Sequence, residues 1–110
     1  LTLFPELFAP FRAVGVTRRA FERGGIDLKL WQPRDFADNA YRRVDDRPYG
    51  GGPGMVMLVE PLERALAAVR DDQAAAGAAR TPVLLFSPAG APLTQRRVEA
   101  LASEAGAVLV

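Results

Sequence analysis

The sequence predicts an α/β fold in which a parallel sheet is flanked by helices. Short apolar runs, typical of buried strands, alternate along the chain with segments whose apolar residues recur at helical spacing. The run 82–86 also passes directly into the turn 87–90, and ligands of open α/β sheets bind outside such strand ends. With 110 residues, of which 49% are apolar, the chain is large enough for one domain with a modest core.

The first elements are predicted from residues 1–11. Residues 1–4 form an apolar run that Pro5 stops, which indicates a short buried strand. The apolar residues within 7–11 then predict a helix packed on the sheet, entered at Pro5 or Pro10.

The next segment predicts a helix and a second strand. Thr17 is expected to cap a short helix that ends at residues 24–25, both glycine. Apolar and polar residues alternate over 26–30, as in a half-buried strand. Pro33 opens a further turn, and residues 37–54 are expected to form a functional loop.

A long helix and a strand follow. Pro61 suits the first turn of a helix. One apolar face of that helix is predicted from Leu62, Leu66 and Val69. The alanine-rich tract 74–79 is expected to be solvated, and residues 82–86 to form a buried strand.

The last elements are another helix and another strand. Thr94 is the predicted cap, and Gly106 the predicted stop. The apolar stripe between them comprises Val98, Leu101, Ala102 and Ala105. Residues 107–110 begin a further apolar strand.

Composition excludes several classes of function. The chain has no Cys and no His, so disulfides, thiolate chemistry and imidazole bases are excluded within it. The net charge of +1 argues against the long basic stripe of a non-specific DNA-binding protein. Of the 14 cationic residues, however, all but Lys29 are arginines, whose planar guanidinium suits phosphate groups and stacking on bases. No apolar run is long enough to span a bilayer, and no signal peptide is recognisable.

The most specific segment is 45–55, which reads DDRPYGGGPGM. Glycine permits positive φ and close approach of the backbone to a ligand, while Pro48 and Pro53 fix φ at two points. These features predict a rigid, shaped loop with polar groups at its mouth. A tight turn that merely joins two elements is the alternative interpretation.

This segment closely resembles the signature of the bacterial tRNA (guanine-N1)-methyltransferases, which belong to the knotted SPOUT-type methyltransferase superfamily. Four other blocks resemble landmarks of that family in the same order along nearly the whole chain. They are 3–8 (LFPELF), 15–17 (GVT), 31–36 (WQPRDF) and 86–90 (FSPAG).

The resemblance implies the N-terminal part of a trefoil-knot methyltransferase. Residues 1–110 would form a single incomplete domain, without the C-terminal part of that domain and without the second domain. The implied activity is methyl transfer from S-adenosylmethionine to N1 of guanosine 37 in tRNA. The family works in the cytoplasm as a homodimer with no membrane association, and residues 1–110 alone are expected to be inactive.

The resemblance also implies site residues. Phe86, Ser87, Pro88 and Gly90 would form one wall of the S-adenosylmethionine pocket, although on its own this segment is an ordinary strand-to-helix turn. Pro53 and Gly54 would lie against the target guanine. Asp46 and Arg47 would support the loop through an ion pair and backbone hydrogen bonds, or would only cap its turn.

No catalytic residue is expected within the chain, because the family's general base is an Asp in the later domain. No metal site is expected either, since a single Asp-Asp pair lacks further ligand spacing. Arginines beside the loop would contact tRNA phosphates or, alternatively, form a salt-bridged surface with neighbouring aspartates. The arginines are Arg34, Arg42, Arg43 and Arg47, and the aspartates are Asp35, Asp38, Asp45 and Asp46.

The sequence departs from the family pattern at two positions, and two rival functions remain open. Tyr41 stands where the family usually has His, and Ala89 where it usually has an amide residue. One rival is a non-catalytic RNA- or nucleotide-binding module that uses the glycine loop, although no Lys-Ser/Thr follows the glycines as in a P-loop. The other rival is a truncated structural remnant.

Overall fold

The structure, a computed structural model, describes residues 1–77, 81–103 and 108–109, which form helices and two-residue strands. The α-helices are α1 (Ala9–Ala13), α2 (Gly15–Glu22), α3 (Val59–Ala75) and α4 (Gln95–Ala102). The strands are β1 (Asp45–Asp46), β2 (Val56–Met57), β3 (Val83–Leu84) and β4 (Val108–Leu109). Two 3₁₀ turns, Pro5–Phe8 and Pro33–Phe36, each begin at a proline. The chain divides into two compact units, residues 2–65 and residues 66–110, the latter including Leu1.

Helices α1 and α2 confirm the predicted helical segments of the first unit. The chain enters α1 through the 3₁₀ turn that begins at Pro5. Thr17 lies inside α2 rather than at its N-cap, and its hydroxyl donates to the Val14 carbonyl at 3.2 Å. Gly24 ends this helical region with φ of 70°, a left-handed conformation that glycine adopts readily.

The predicted packing of the first helix on a sheet was wrong. Leu7 and Phe11 are exposed, and the Phe8 and Phe11 rings contact each other with centroids 6.1 Å apart. The spacing of these apolar residues therefore predicted the helical segment correctly, but no other described element covers its apolar side.

The strands predicted at residues 1–4 and 26–30 were also wrong, since neither segment forms a strand. The beginning of the chain nevertheless lies beside Trp31 and Gln32. The Thr2 N–H donates to the Trp31 carbonyl at 3.0 Å, and the Gln32 side-chain amide donates to the Leu3 carbonyl at 2.9 Å. The second of these is a side-chain bond, so the two segments are neighbours without forming a backbone ladder.

Helix α3 carries the buried stripe of the chain. It begins at Val59, so Pro61 lies in its first turn as predicted, where a missing N–H costs no intrahelical bond. Pro61, Ala65 and Val69, at i, i+4 and i+8, are buried. Val69 belongs to the predicted apolar face, while Leu62 and Leu66 are half-buried.

The second unit contains a strand–helix–strand arrangement. Strands β3 and β4 pair in parallel, with Val83 opposite Val108 and Leu84 opposite Leu109, and α4 lies between them in sequence. Thr94 caps α4 as predicted, because its hydroxyl accepts from the Arg97 N–H at 3.4 Å. Of the predictions for this end of the chain, those for Ala105, Gly106, Ala107 and Val110 fall outside the described residues.

The fold class is confirmed in its coarse form, as small sheets with helices. The strands are shorter than predicted, and β1 and β2 pair antiparallel, a pairing that the sequence did not predict. The knot, the wider parallel sheet and the single incomplete domain over residues 1–110 remain predictions. No helix among the described residues is both long enough and apolar enough to cross a membrane.

Candidate functional site

A two-strand stem holds the glycine loop, defined here as residues 47–55. In the stem, Asp45 lies opposite Met57 and Asp46 opposite Val56. The Leu58 N–H extends the pairing by donating to the Val44 carbonyl at 2.8 Å. Val44 is fully buried, so the stem is anchored in the unit at the residue that precedes it.

The glycine loop begins with a tight turn. The Gly51 N–H donates to the Pro48 carbonyl at 3.1 Å, which places Tyr49 and Gly50 at the two central positions. Gly50 has φ of 81°, as the third position of a type II turn requires. Proline is common at the second position of such turns, but here it occupies the first and Tyr49 the second.

The rest of the glycine loop keeps the same unusual backbone. Gly51, Gly52 and Gly54 have φ of 86°, 119° and 88°. A side chain at any of these positions would be strained. Apart from the neighbouring residues of the chain, no atom lies within 4 Å of where a Cβ on Gly54 would be. The strain would therefore come from the backbone torsion and not from contact with the rest of the protein. Pro53 and Gly54, predicted to lie against the target base, are both exposed.

Asp46 supports the glycine loop locally. Its carboxylate accepts from the Arg47 N–H at 2.7 Å, which satisfies one backbone donor at the mouth of the loop. The expected ion pair does not form, since no salt bridge joins the two side chains in the described part of the chain. Asp46 therefore acts as a turn cap, and the Arg47 side chain remains exposed.

The arginines near the glycine loop fall into two groups. Arg42 pairs with Asp35 at 3.2 Å, and Arg34 donates to the Arg42 carbonyl at 3.3 Å. Arg43 and Arg47 have no ion-pair partner among the residues that the structure describes. Part of this surface is thus salt-bridged, and two arginines are available for phosphate groups.

A strained turn precedes the stem. Arg42 has φ of 49°, a left-handed conformation that is uncommon for residues other than glycine. Asn39 stabilises this turn, because its side chain accepts from the Arg43 N–H at 2.8 Å and donates to the Arg43 carbonyl at 3.1 Å. The segment that leads to the glycine loop is therefore fixed by hydrogen bonds rather than by burial.

An ion pair ties the same segment to α3. The guanidinium of Arg64 lies 2.5 Å from the Asp38 carboxylate and also donates to the Phe36 carbonyl at 3.5 Å. The hydrogen bond from Arg64, with its charge, lowers the pKa of Asp38. The same contact with Asp38 raises the pKa of Arg64. Both groups are solvated, so the pair fixes geometry more than it stabilises the fold.

The second candidate segment is the turn at 87–90. The Gly90 N–H donates to the Ser87 carbonyl at 3.0 Å, and the Ala89 N–H donates to the Ser87 hydroxyl at 3.2 Å. A Cβ on Gly90 would lie 3.1 Å from the Ser87 carbonyl oxygen, tighter than an ordinary contact. Glycine is therefore the residue that this turn accommodates without adjustment.

An open groove of about 1040 Å³ runs along this turn. Its lining includes the predicted cofactor residues Phe86, Ser87, Pro88 and Gly90. Leu85, Phe86 and Leu93 are exposed and give the groove apolar surface beside the polar turn. The groove therefore combines apolar side chains with hydrogen-bonding groups of the turn, as small-molecule sites commonly do.

Sequence reasoning missed several other residues that line this groove. Arg96 and Arg97 in the first turn of α4, with Leu93 before it, line the groove together with the 87–90 turn. The signal was present, because the Thr94 cap fixes where α4 begins and hence which residues follow the turn. No group of three or more potential metal ligands occurs among the described residues.

Comparisons with known proteins agree with one another. A family model described as tRNA (Guanine-1)-methyltransferase TrmD matches residues 1–110. A tRNA (guanine-N(1)-)-methyltransferase of Methylibium petroleiphilum is 97% identical over 110 residues, which are the whole of this chain and 43% of that protein. The protein of the same name from Leptothrix cholodnii is 70% identical over the same shares. The chain therefore spans less than half the length of these curated relatives.

A solved structure gives the same result. The crystal structure of a tRNA (m1G37) methyltransferase from Aquifex aeolicus superimposes with a TM-score of 0.81 at 28% sequence identity. The match covers 98% of this chain and 46% of that one.

Proposed function

Because the chain belongs to the tRNA (guanine-1)-methyltransferase family, we propose that the full-length protein methylates N1 of guanosine 37 in tRNA. The observation that carries the proposal is the glycine loop, in which four glycines have positive φ and no packed side chain surrounds them. Such a loop exposes backbone donors and acceptors to a planar ligand at close range.

In this proposal the glycine loop receives the target guanine. A base methylated on its Watson–Crick edge has to leave the helical stack and enter a pocket. Pro53 and Gly54 are exposed, and the guanine ring would be positioned against them, within reach of the Gly54 N–H and of the backbone carbonyls. Asp46 keeps the mouth of the loop ordered through its bond to the Arg47 N–H.

The groove at 83–101 is the proposed S-adenosylmethionine site. Phe86, Ser87, Pro88 and Gly90 would hold the adenine, since the turn combines hydrogen-bonding backbone with exposed apolar side chains. S-adenosylmethionine supplies an activated methyl group when it is bound. The residues of this chain bind and orient, and the general base is proposed to be an Asp in the part of the protein beyond residue 110.

The remaining parts of the proposal concern assembly and location. A homodimer is supported by the exposed apolar side chains along residues 4–16, among them Leu7, Phe11, Val14 and Val16. The parallel pairing of β3 and β4, with α4 between them in sequence, supports the parallel α/β sheet in which the family's trefoil knot would form. A cytoplasmic location is supported by the absence of Cys and by the tRNA substrate itself.

The test is methylation by the full-length protein with labelled S-adenosylmethionine and unmodified tRNA. We expect one N1-methylguanosine per tRNA, at position 37, and no label in a tRNA that carries adenosine there. RNA binding without methyl transfer would contradict the proposal and favour the non-catalytic binding module.

A further inference from the structure

Tyr49 is the most exposed large hydrophobic side chain among the described residues, with 107% of the reference accessible area for tyrosine. It occupies a central position of the 48–51 turn, at the corner of the glycine loop. A tyrosine ring carries a large apolar area, which in a folded protein is normally at least partly covered. Here no residue of the described chain covers it.

The backbone beneath this ring is rigid. Pro48 fixes φ immediately before it, the turn bond from the Gly51 N–H closes behind it, and the β1–β2 stem holds both ends of the loop. The side chain itself has only two torsions, so holding it in one orientation costs little entropy. An exposed ring on a fixed turn is thus preorganised for a planar partner.

The neighbouring charge indicates the chemistry of that partner. Arg47 lies two residues before Tyr49, and its guanidinium has no ion-pair partner among the described residues. The nearest carboxylate in sequence, Asp46, is bonded to the Arg47 backbone instead. An aromatic face beside an unpaired arginine is a typical surface for single-stranded nucleic acid, in which bases stack and phosphates pair with cations.

We propose that the Tyr49 ring stacks on an unpaired nucleotide next to the target guanosine, while Arg47 contacts a phosphate of the same strand. The proposal rests on the proposed function, because moving the target base out of the stack deprives its neighbours of a stacking partner. Tyr49 replaces that partner. Stacking depends on the π face and not on base edges, so this contact contributes affinity and placement rather than base identity.

The test compares Tyr49→Phe and Tyr49→Leu in the full-length protein. The first variant keeps the aromatic face, and the second keeps apolar volume without it. Tyr41→Leu is the matched control, since Tyr41 is 88% exposed but lies outside the glycine loop. The probe is an unmodified anticodon stem–loop RNA with 2-aminopurine next to guanosine 37, whose fluorescence is quenched on stacking.

We expect Tyr49→Leu to raise the Kd for this RNA by about 5- to 150-fold, the range for loss of one stacked base, and to abolish the quenching. Tyr49→Phe retains both binding and quenching, and Tyr41→Leu resembles the wild type. Arg47→Gln lowers the slope of log Kd against the logarithm of the salt concentration by about 1, the value for loss of one phosphate contact.

Two results would overturn the proposal: unchanged RNA binding in Tyr49→Leu, and an equal loss of binding in Tyr41→Leu. If RNA binding were unchanged in Tyr49→Leu while its melting temperature or oligomeric state changed, the ring would cover protein instead of RNA. If the wild type bound the RNA in a Tyr49-dependent way without methylating it, stacking would stand and the proposed function would fall.

Discussion

Replacing Gly54 with Ala separates the proposed ligand-binding role of the glycine loop from its role as a turn. Gly54 has φ of 88°, and no atom lies within 4 Å of the added Cβ. The cost to folding is therefore backbone strain alone, roughly 1–2 kcal/mol. In a protein of a few hundred residues this lowers the melting temperature by about 2–8 °C.

The effect on activity is expected to be much larger. The empty space around the Cβ is the space in which the guanine ring is proposed to lie, so the methyl group displaces the substrate instead of a protein atom. A misplacement of about 1 Å between reacting groups can reduce the rate about a hundredfold. We expect kcat/KM for tRNA to fall by about that factor, with little change in the affinity for S-adenosylmethionine.

Gly24→Ala is the matched control. Gly24 has φ of 70°, and a Cβ there also meets nothing within 4 Å, but the residue ends α2 and lies outside the glycine loop. Both variants should lose similar stability in thermal melts, and only Gly54→Ala should lose tRNA turnover in steady-state assays. Normal turnover by Gly54→Ala, or an equal loss in Gly24→Ala, would refute the placement of the base.

Four further outcomes are expected. Gly90→Ala in the full-length protein should weaken S-adenosylmethionine binding about fivefold by calorimetry, because its Cβ would lie 3.1 Å from the Ser87 carbonyl oxygen and shift the turn. Gly25→Ala, whose Cβ would lie 3.6 Å from the Ala20 carbonyl oxygen, should leave this binding unchanged. Arg64→Gln should raise the pKa of Asp38 toward 3.8, followed by NMR titration. That pKa is lowered in the folded protein, so the ion pair contributes to folding stability above pH 3.8. This stabilisation is lost as the pH falls through the lowered pKa of Asp38. Residues 1–110 alone should yield no N1-methylguanosine from tRNA. The same fragment should self-associate and bind a hydrophobic dye, because large apolar side chains are exposed in both of its units; a monomer with a sharp melt would contradict this.

The sequence predicted those elements whose signals are local. The cap at Thr94, the glycine at position 24 and the proline in the first turn of α3 each act within one turn of chain, and the structure has them where expected. The spacing of apolar residues also located the helices. These signals depend on no distant partner.

The strands were predicted less well, because a strand exists only when another segment pairs with it. Residues 26–30 alternate as a strand should, yet they form no ladder, while β1 consists of two aspartates that no strand propensity would select. Pairing across the glycine loop creates β1, and this pairing depends on the conformation of the loop. The apolar run at 107–110 predicted a strand, and the structure describes its residues 108–109 as β4, but the pairing of β4 with β3 was not predicted.

The role of the glycine loop and of the 87–90 turn as binding sites stays a prediction, but the conformation of both segments can be compared with the sequence. The sequence predicted a shaped loop and a turn at these positions, and offered two roles for Asp46. The structure has the capping contact and lacks the ion pair, because the carboxylate is bonded to the adjacent N–H. It also assigns Arg42 to Asp35 and leaves Arg47 exposed. Such choices among charged partners depend on distances of a few ångströms that a sequence does not contain.

The length of the glycine loop argues against its being only a connection. An antiparallel pair of strands needs a loop of about two to five residues, whereas β1 and β2 are joined by residues 47–55. Each glycine in the loop costs conformational entropy on folding, and the open space around the glycines means that side-chain packing does not offset this cost. The prolines, the turn bond and the stem keep the loop ordered. This loop is longer than its connection requires, is rich in residues that cost entropy, and is kept ordered by its own prolines, its turn bond and its stem. These are the properties expected of the proposed binding surface, in which a ligand would supply the missing contacts.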